Sequence, residues 1–399
     1  MTQRPATGHT SSLPEQVPDH EVTALVRELS RYLEPDAPAV SMPPSAYHSS
    51  ALYEFERSRI FGRSWLLVAH ADQLAVPGDY VSLEVAGEPV TVVRDRSGTL
   101  HALSPVCRHR MMPVVEPGAG RTDAFTCPYH LWRYGLDGRL SGATHMRGNP
   151  AFDPDTCRLP EFAVEEWRGF VYLNFTPQAE PVSAHLERHI GGELAAYRLE
   201  EMVQVGAYVE EWQVNWKLAV ENSHENYHVM GLHPNTVALI TPRGADMDVR
   251  VDTPWVLRLR SPFKEPLDTT ALDLSEEQLA FMYNCCVFPS SSLATFGDSV
   301  VWISFIPLSV DRTQVRGGIL MPASQVAAAD REALRKQTEE DAGVVNGEDR
   351  WGLERVQRVV GSRFAGRGHL SPKEPGVLAF YRGLARAFVR DDADWPGAL

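Results

Sequence analysis

Cysteine is scarce, with five residues in 399, an odd number at irregular positions. That excludes a secreted disulfide framework, makes the cytoplasm the expected address, and leaves the thiols free for a metal site. Basic residues are outnumbered, 38 Lys and Arg against 52 Asp and Glu, for a net charge of -14. Such a surface repels phosphate backbones and anionic lipids, so no nucleic-acid partner is expected. No run of 18 apolar residues occurs, and the first twenty residues show neither an apolar core nor an Arg-rich amphipathic pattern. No membrane span and no targeting segment are expected. A dinucleotide fingerprint is missing too: GAGRTD at Gly118 lacks the third Gly and follows no suitable strand, so the chain is not expected to draw electrons from a nicotinamide cofactor unaided. What remains is an ordinary globular composition, 43% hydrophobic and 23% charged, over a length that suits two or three domains.

Residues 1–43 are rich in Pro, Ser, Thr and charge, with one modest amphipathic stretch from Val22 to Leu33, and read as a flexible arm. Residues 44–178 read as a short helix after Ser49 followed by a small antiparallel β domain from about 62, its strands punctuated by Gly, Pro and Asp turns. Residues 179–399 read as mixed α+β. There a helix is expected to begin near Asn215 and run through WKLAVENSHENYHVMGLHP, with later helices at about 324–341, 348–360 and 375–389. No internal repeat is visible.

The clearest chemistry lies between Cys107 and His130. Cys107 and His109 are one residue apart, Cys127 and His130 two apart, and 17 residues separate the pairs. Two thiolates and two imidazoles could hold zinc, but zinc-finger spacings pair Cys with Cys and His with His. Mixed pincers match a Rieske [2Fe-2S] centre, where two His replace two Cys on one iron. Cys157 stands alone and Cys285 and Cys286 are adjacent, so packing is expected for all three.

A second constellation follows. Glu221, Glu225 and His228 are spaced four and three apart, and a continuous helix would put them on one face. His233 precedes Pro234, so the chain is expected to bend there and aim both imidazoles at one point. Two His and one carboxylate with open positions form the facial triad of non-haem Fe(II) oxygenases. Glu225 is the near carboxylate, either as ligand or as the acid that orients an imidazole. Asp349 is a distant candidate, which its expected place at a helix start explains equally well as a dipole partner.

The two motifs together, Cys-x-His, 17 residues, Cys-x-x-His, then Glu-Asn-x-x-Glu-x-Tyr-His-x4-His-Pro, make residues 45 to 390 resemble the Rieske non-haem iron oxygenases, the aromatic ring-hydroxylating oxygenase α subunits. The resemblance implies an α+β chain: an N-terminal Rieske [2Fe-2S] antiparallel β domain within 44–178 and a C-terminal helix-grip (START-like) catalytic domain in 179–399. It implies one cluster on Cys107, His109, Cys127 and His130, and one mononuclear Fe(II) on His228, His233 and Asp349, with Asp341 or Glu348 as fallback. Glu225 takes the position of the acid that bridges a Rieske His of one subunit to an iron His of the next, and Asn222 and Tyr227 join it as catalytic candidates. Many members have Asp where Glu225 stands, so this chain is closer to members acting on quaternary ammonium compounds. The additional cysteine pair of respiratory Rieske proteins is missing, which fits the oxygenase type.

The implied activity is mono- or dioxygenation of a small substrate, quaternary ammonium or aromatic acid, by hydroxylation or N-demethylation with O2. Electrons are expected from a separate NAD(P)H-dependent flavin/iron-sulfur reductase, with or without a ferredoxin, and the assembly is expected to be a homotrimer. The rival is a Rieske electron-transfer or ligand-binding protein with an inactive second domain, which iron content would separate from the oxygenase. Trp302 and Phe305 are candidates for a pocket wall, with core packing the commoner explanation.

Overall fold

The computed structural model describes residues 17–243 and 246–389. Among them two seven-stranded antiparallel sheets carry the fold. The first has the order Leu66–His70, Phe170–Asn174, Glu161–Trp167, Leu100–Leu103, Glu88–Arg94, Asp79–Val85, Gly118–Arg121. A small third sheet, Phe125–Thr126, Arg133–Tyr134 and Leu140–Gly142, stands beside it and carries one of the two metal-site loops. The second large sheet runs Met202–Trp212, Arg312–Pro322, Ser299–Ser309, Ser291–Phe296, Phe281–Val287, Val256–Pro262, Asp248–Thr253. Against its first strand packs the 29-residue helix Arg331–Val359, and the helix Pro375–Val389 lies over its far edge. This is the mixed α+β arrangement expected of a Rieske domain followed by a helix-grip domain.

Alternation along the strands explains the core. Cys285 and Cys286 are both buried but belong to different apolar clusters, because neighbours on a strand point to opposite faces. Trp302 and Phe305 are likewise core residues, 1% and 3% exposed, and Trp302 Nε1 donates to Gln204 Oε1 at 3.0 Å. Cys157 packs against the cluster around Trp132 and Tyr134.

The reading of residues 1–43 as a flexible arm fails for the part described; residues 1–16 lie outside the described residues. His20–Ser30 is a helix capped by Asp19, whose carboxylate accepts the Val22 N–H at 2.8 Å. Its Val22, Leu25 and Leu29 are buried against the C-terminal helix, at roughly 1.5–3 kcal/mol of gross stabilisation each. A stripe that looks modest in sequence suffices because a second helix waits to cover it. Arg367 completes the clasp, donating to Tyr32 Oη at 2.7 Å and to Ser41 O at 2.8 Å.

Two further expectations change. The helix from Asn215 stops at Ser223, and a turn precedes the short helix Val229–Leu232. The separate helices expected at 324–341 and 348–360 are instead Ala323–Ala328 and the single long helix Arg331–Val359. Neither Gly343 nor Gly347 breaks it, since an isolated glycine costs only about 1 kcal/mol in a helix.

A buried ion pair joins the helix Ser50–Glu56 to the helix Trp216–Ser223. Glu56, at the end of the helix Ser50–Glu56, meets Lys217 Nζ at 2.7 Å and accepts from Trp216 Nε1 at 2.8 Å. Burial pushes the Glu56 carboxyl up and the Lys217 amine down, and each works against that shift in the other. Removing either partner would strand a buried charge, at about 3–5 kcal/mol.

Candidate metal centres

The Cys107 and Cys127 loops are built by the same device. The Cys107 N–H donates to Met112 O at 3.0 Å and the Met111 N–H returns to Cys107 O at 3.0 Å; Cys127 and Leu131 repeat this with Trp132 O and Cys127 O at 2.7 and 3.0 Å. Each loop closes through a non-glycine residue of positive φ, Met111 at 58° and Leu131 at 61°. Such conformations are held only where the surroundings over-determine them. The thiols lie deep, 2% and 1% exposed, while the histidine rings sit nearer the surface with centroids 4.5 Å apart. Trp132 stacks on His109 at 4.8 Å.

The donor chemistry fits a [2Fe-2S] cluster. His109 Nδ1 and His130 Nδ1 are both buried without a hydrogen-bond partner, a costly condition unless something coordinates them. The imidazole of His130 is pulled below its usual range by desolvation and by His109 and Arg110, which favours the neutral form a metal needs. Tyr134 was not anticipated from sequence: its hydroxyl accepts the Arg108 N–H at 3.0 Å and lies 3.3 Å from Cys107 Sγ.

The second set is His228, His233 and Asp349, whose donor atoms fall within 4.8 Å of one another. Asp349 Oδ1 lies 2.9 Å from His233 Nε2 and 3.6 Å from His228 Nε2. Both rings present Nε2 because a carboxylate holds each Nδ1: Glu225 Oε1 at 2.6 Å on His228, Glu348 Oε2 at 2.7 Å on His233. Burial pulls the His233 imidazole down, but the bonds to Asp349 and Glu348 outweigh it and leave the ring above its usual range. Such outer carboxylates fix tautomer and ring rotation. Asn222 Nδ2 donates to Asp349 Oδ1 at 2.9 Å, and Thr236 Oγ1 to Glu348 Oε2 at 2.6 Å. Two His and one carboxylate suit a mononuclear iron with open positions.

Several sequence expectations are corrected here. Asp349 sits well inside the helix Arg331–Val359, so a dipole role at a helix start does not apply. Glu348 is the orienting partner of His233, and Asp341 is engaged by Gln337 away from the trio. Glu225 acts here as the acid that orients an imidazole and not as a member of the donor trio: Oε1 meets His228 Nδ1, and Oε2 accepts the N–H groups of Tyr227 and His228. Tyr227 enters through that backbone bond while its ring is 57% exposed, so the structure does not bring its hydroxyl to the donor trio. Glu221 does not share a face with Glu225 and His228, because the helix ends between them; Tyr47 and Tyr381 donate to it at 2.8 and 3.0 Å.

Comparison with known proteins agrees with this geometry. Residues 64–162 match the family model of the Rieske [2Fe-2S] domain and residues 199–388 that of the ring hydroxylating alpha subunit catalytic domain. The carnitine monooxygenase oxygenase subunit of Acinetobacter pittii is 32% identical over 218 residues, 54% of this chain and 56% of that protein. The glycine betaine monooxygenase oxygenase subunit of Chromohalobacter salexigens is 33% identical over 195 residues, 49% of this chain and 43% of that protein. The chain thus matches about half the length of these curated relatives. In fold, it superposes on the quaternary ammonium Rieske monooxygenase described for carnitine oxidation by gut microbiota and inter-subunit electron transfer, with a TM-score of 0.77 at 24% identity, over 90% of this chain and 98% of that one. Among the described residues no helix is long and apolar enough to cross a membrane. With both family models matched in order and each falling on its own donor set, the chain belongs to the Rieske ring-hydroxylating oxygenase α-subunit family, whose members carry a [2Fe-2S] cluster and a mononuclear iron.

Proposed function

We propose that the chain is the oxygenase component of a multicomponent Rieske non-haem iron oxygenase, using O2 and electrons from a separate NAD(P)H-dependent reductase to hydroxylate or N-demethylate a small organic substrate. One observation carries the reading: His228, His233 and Asp349 converge in a chain that also holds the two Cys-His pincers. An electron carrier with an inactive second domain has no use for the second set. Iron bound there would supply O2 activation. The protein's own part is positional: Glu225 and Glu348 hold the two rings, and Asn222 holds the carboxylate of Asp349.

As substrate we infer a quaternary ammonium compound rather than an aromatic acid. Support comes from the names of the two relatives and from glutamate, not aspartate, at position 225. We further infer a cytoplasmic homotrimer served by a flavin/iron-sulfur reductase, with or without a ferredoxin. The test is reconstitution with a reductase, reading iron content together with NADH and O2 consumption over a panel of carnitine, glycine betaine and an aromatic acid. About three iron atoms per chain and substrate-dependent O2 uptake are expected, with Asp349→Ala losing about one iron and the uptake while its cluster stays reducible. About two irons in the unaltered chain, or full iron and activity in Asp349→Ala, would overturn the assignment.

A further inference from the structure

The strand Arg312–Pro322 carries Arg312, Gln314 and Arg316 on one face. Arg312 reaches Glu211 at 3.1 Å. Arg316 has no such partner. It is 4% exposed, and its guanidinium makes one hydrogen bond, from Nη1 to Gln314 Oε1 at 3.2 Å; Nε is buried and unpaired. Burial lowers its pKa only to about 10, so the group stays charged at neutral pH. The contrast with Lys217 is direct: that buried cation meets Glu56 at 2.7 Å. A buried charge without a counter-charge is unfavourable unless something else supplies one.

The space for it is present. Beside Arg316 lies a cavity of about 520 Å³ between the two sheets, bounded by Ser82 and Glu84 from Asp79–Val85, by Gly118 and Ala119 from Gly118–Arg121, and by Arg316 and Gln314. Two carboxylates border it, but neither neutralises Arg316: Glu211 is taken by Arg312, and Glu84 is solvent-exposed. With Nε closed off and Nη1 on Gln314, the unpaired Nη2 end of the guanidinium is what Arg316 offers an oxygen of a carboxylate or phosphate.

We propose that Arg316 anchors a binding site for a small free oxyanion, a carboxylate or inorganic phosphate, in the cleft between the Rieske domain and the catalytic sheet. The bound anion pairs with a group of the catalytic sheet while seated against strands of the Rieske domain, so occupancy holds the two together and raises the unfolding temperature. The site is separate from both metal centres, and its test needs no turnover.

The experiment uses the full iron-loaded chain, with thermal unfolding and calorimetric titration against sodium acetate and, separately, inorganic phosphate at constant ionic strength. A saturable rise in unfolding temperature is expected with at least one probe: acetate alone identifies a carboxylate site, phosphate alone an inorganic-oxyanion site. Arg316→Met should fold at least as stably without anion, because an apolar side chain suits the buried position, and should bind the effective probe at least tenfold more weakly. No saturable binding to the unaltered chain, or equal binding to Arg316→Met, overturns the proposal. So does an Arg316-dependent rise with protein concentration in place of anion concentration, which would assign the counter-charge to a second copy.

Discussion

Replacing Tyr134 with Phe should lower the reduction potential of the Rieske cluster. The Tyr134 hydroxyl already accepts the Arg108 N–H at 3.0 Å, so its own proton is free to point at Cys107 Sγ, 3.3 Å away. Reduction adds negative charge to the cluster and its sulfurs, which strengthens that bond, and hydrogen bonds to the sulfurs are one of the levers on such potentials. A hydrogen bond to a charged group contributes about 1.5–3 kcal/mol in all. Only the part gained on reduction moves the potential. Taking that part as about 1 kcal/mol, and about 59 mV for each tenfold change in a one-electron equilibrium, the shift is about 40 mV downward. Tyr134 is fully buried and Phe preserves its ring, so the core around Trp132 should stay packed. The assay is a potentiometric titration of the cluster EPR signal, with iron content measured on the same sample. An intact cluster with an unchanged or raised potential would refute the reasoning, because it would mean that the hydroxyl proton does not serve the sulfur.

Glu348→Gln keeps the shape beside His233 but removes the charge at Nδ1, and should weaken iron binding at the mononuclear site about tenfold; chelator competition measures it, and unchanged affinity would show that Glu348 does not support the ring. Burial lifts Glu221 from 4.5 to about 8 against the opposing effects of Tyr47, Tyr381 and Lys217. Between those values the folded chain holds a proton that the unfolded chain has released, so stability falls as pH rises through this window and the loss is complete above about 8. Glu221→Gln should therefore flatten the decline in urea midpoint between pH 5.5 and 8.5, and a slope equal to that of the unaltered chain would remove Glu221 as its source.

The donor types and spacings were legible in the sequence, whereas the way they are held was not. Cys107, His109, Cys127 and His130 stand out because two mixed pincers have few other uses, yet nothing in CPYHLW announces that Leu131 takes a left-handed backbone or that Trp132 stacks on His109. The break after Ser223 escaped helical periodicity for a local reason. Ser223 Oγ and His224 Nδ1 both turn back on Val220 O, at 2.8 and 2.7 Å, and Glu225 captures the N–H groups of Tyr227 and His228. Side chains competing for the backbone in this way end a helix that an apolar pattern would continue. The N-terminal helix escaped because its modest stripe gains its value only from the distant helix Pro375–Val389.

Glu348 and Asp349 show why a correct residue list can still conceal the mechanism. Taken as alternatives, the two acids compete for one role, and adjacency on a helix counts against both serving the same site. Their side chains leave the axis about 100° apart, and His233 lies so that Glu348 meets Nδ1 at 2.7 Å while Asp349 meets Nε2 at 2.9 Å. Glu348 thus holds the ring by Nδ1 while Asp349 brings its own donor oxygen to the same side as Nε2, so consecutive residues serve one site in two different ways. A helix start at 348 would have left this pair on a fraying first turn. In the middle of Arg331–Val359, with Asn222 and Thr236 holding the two carboxylates from other elements, it has the rigidity that a metal site requires.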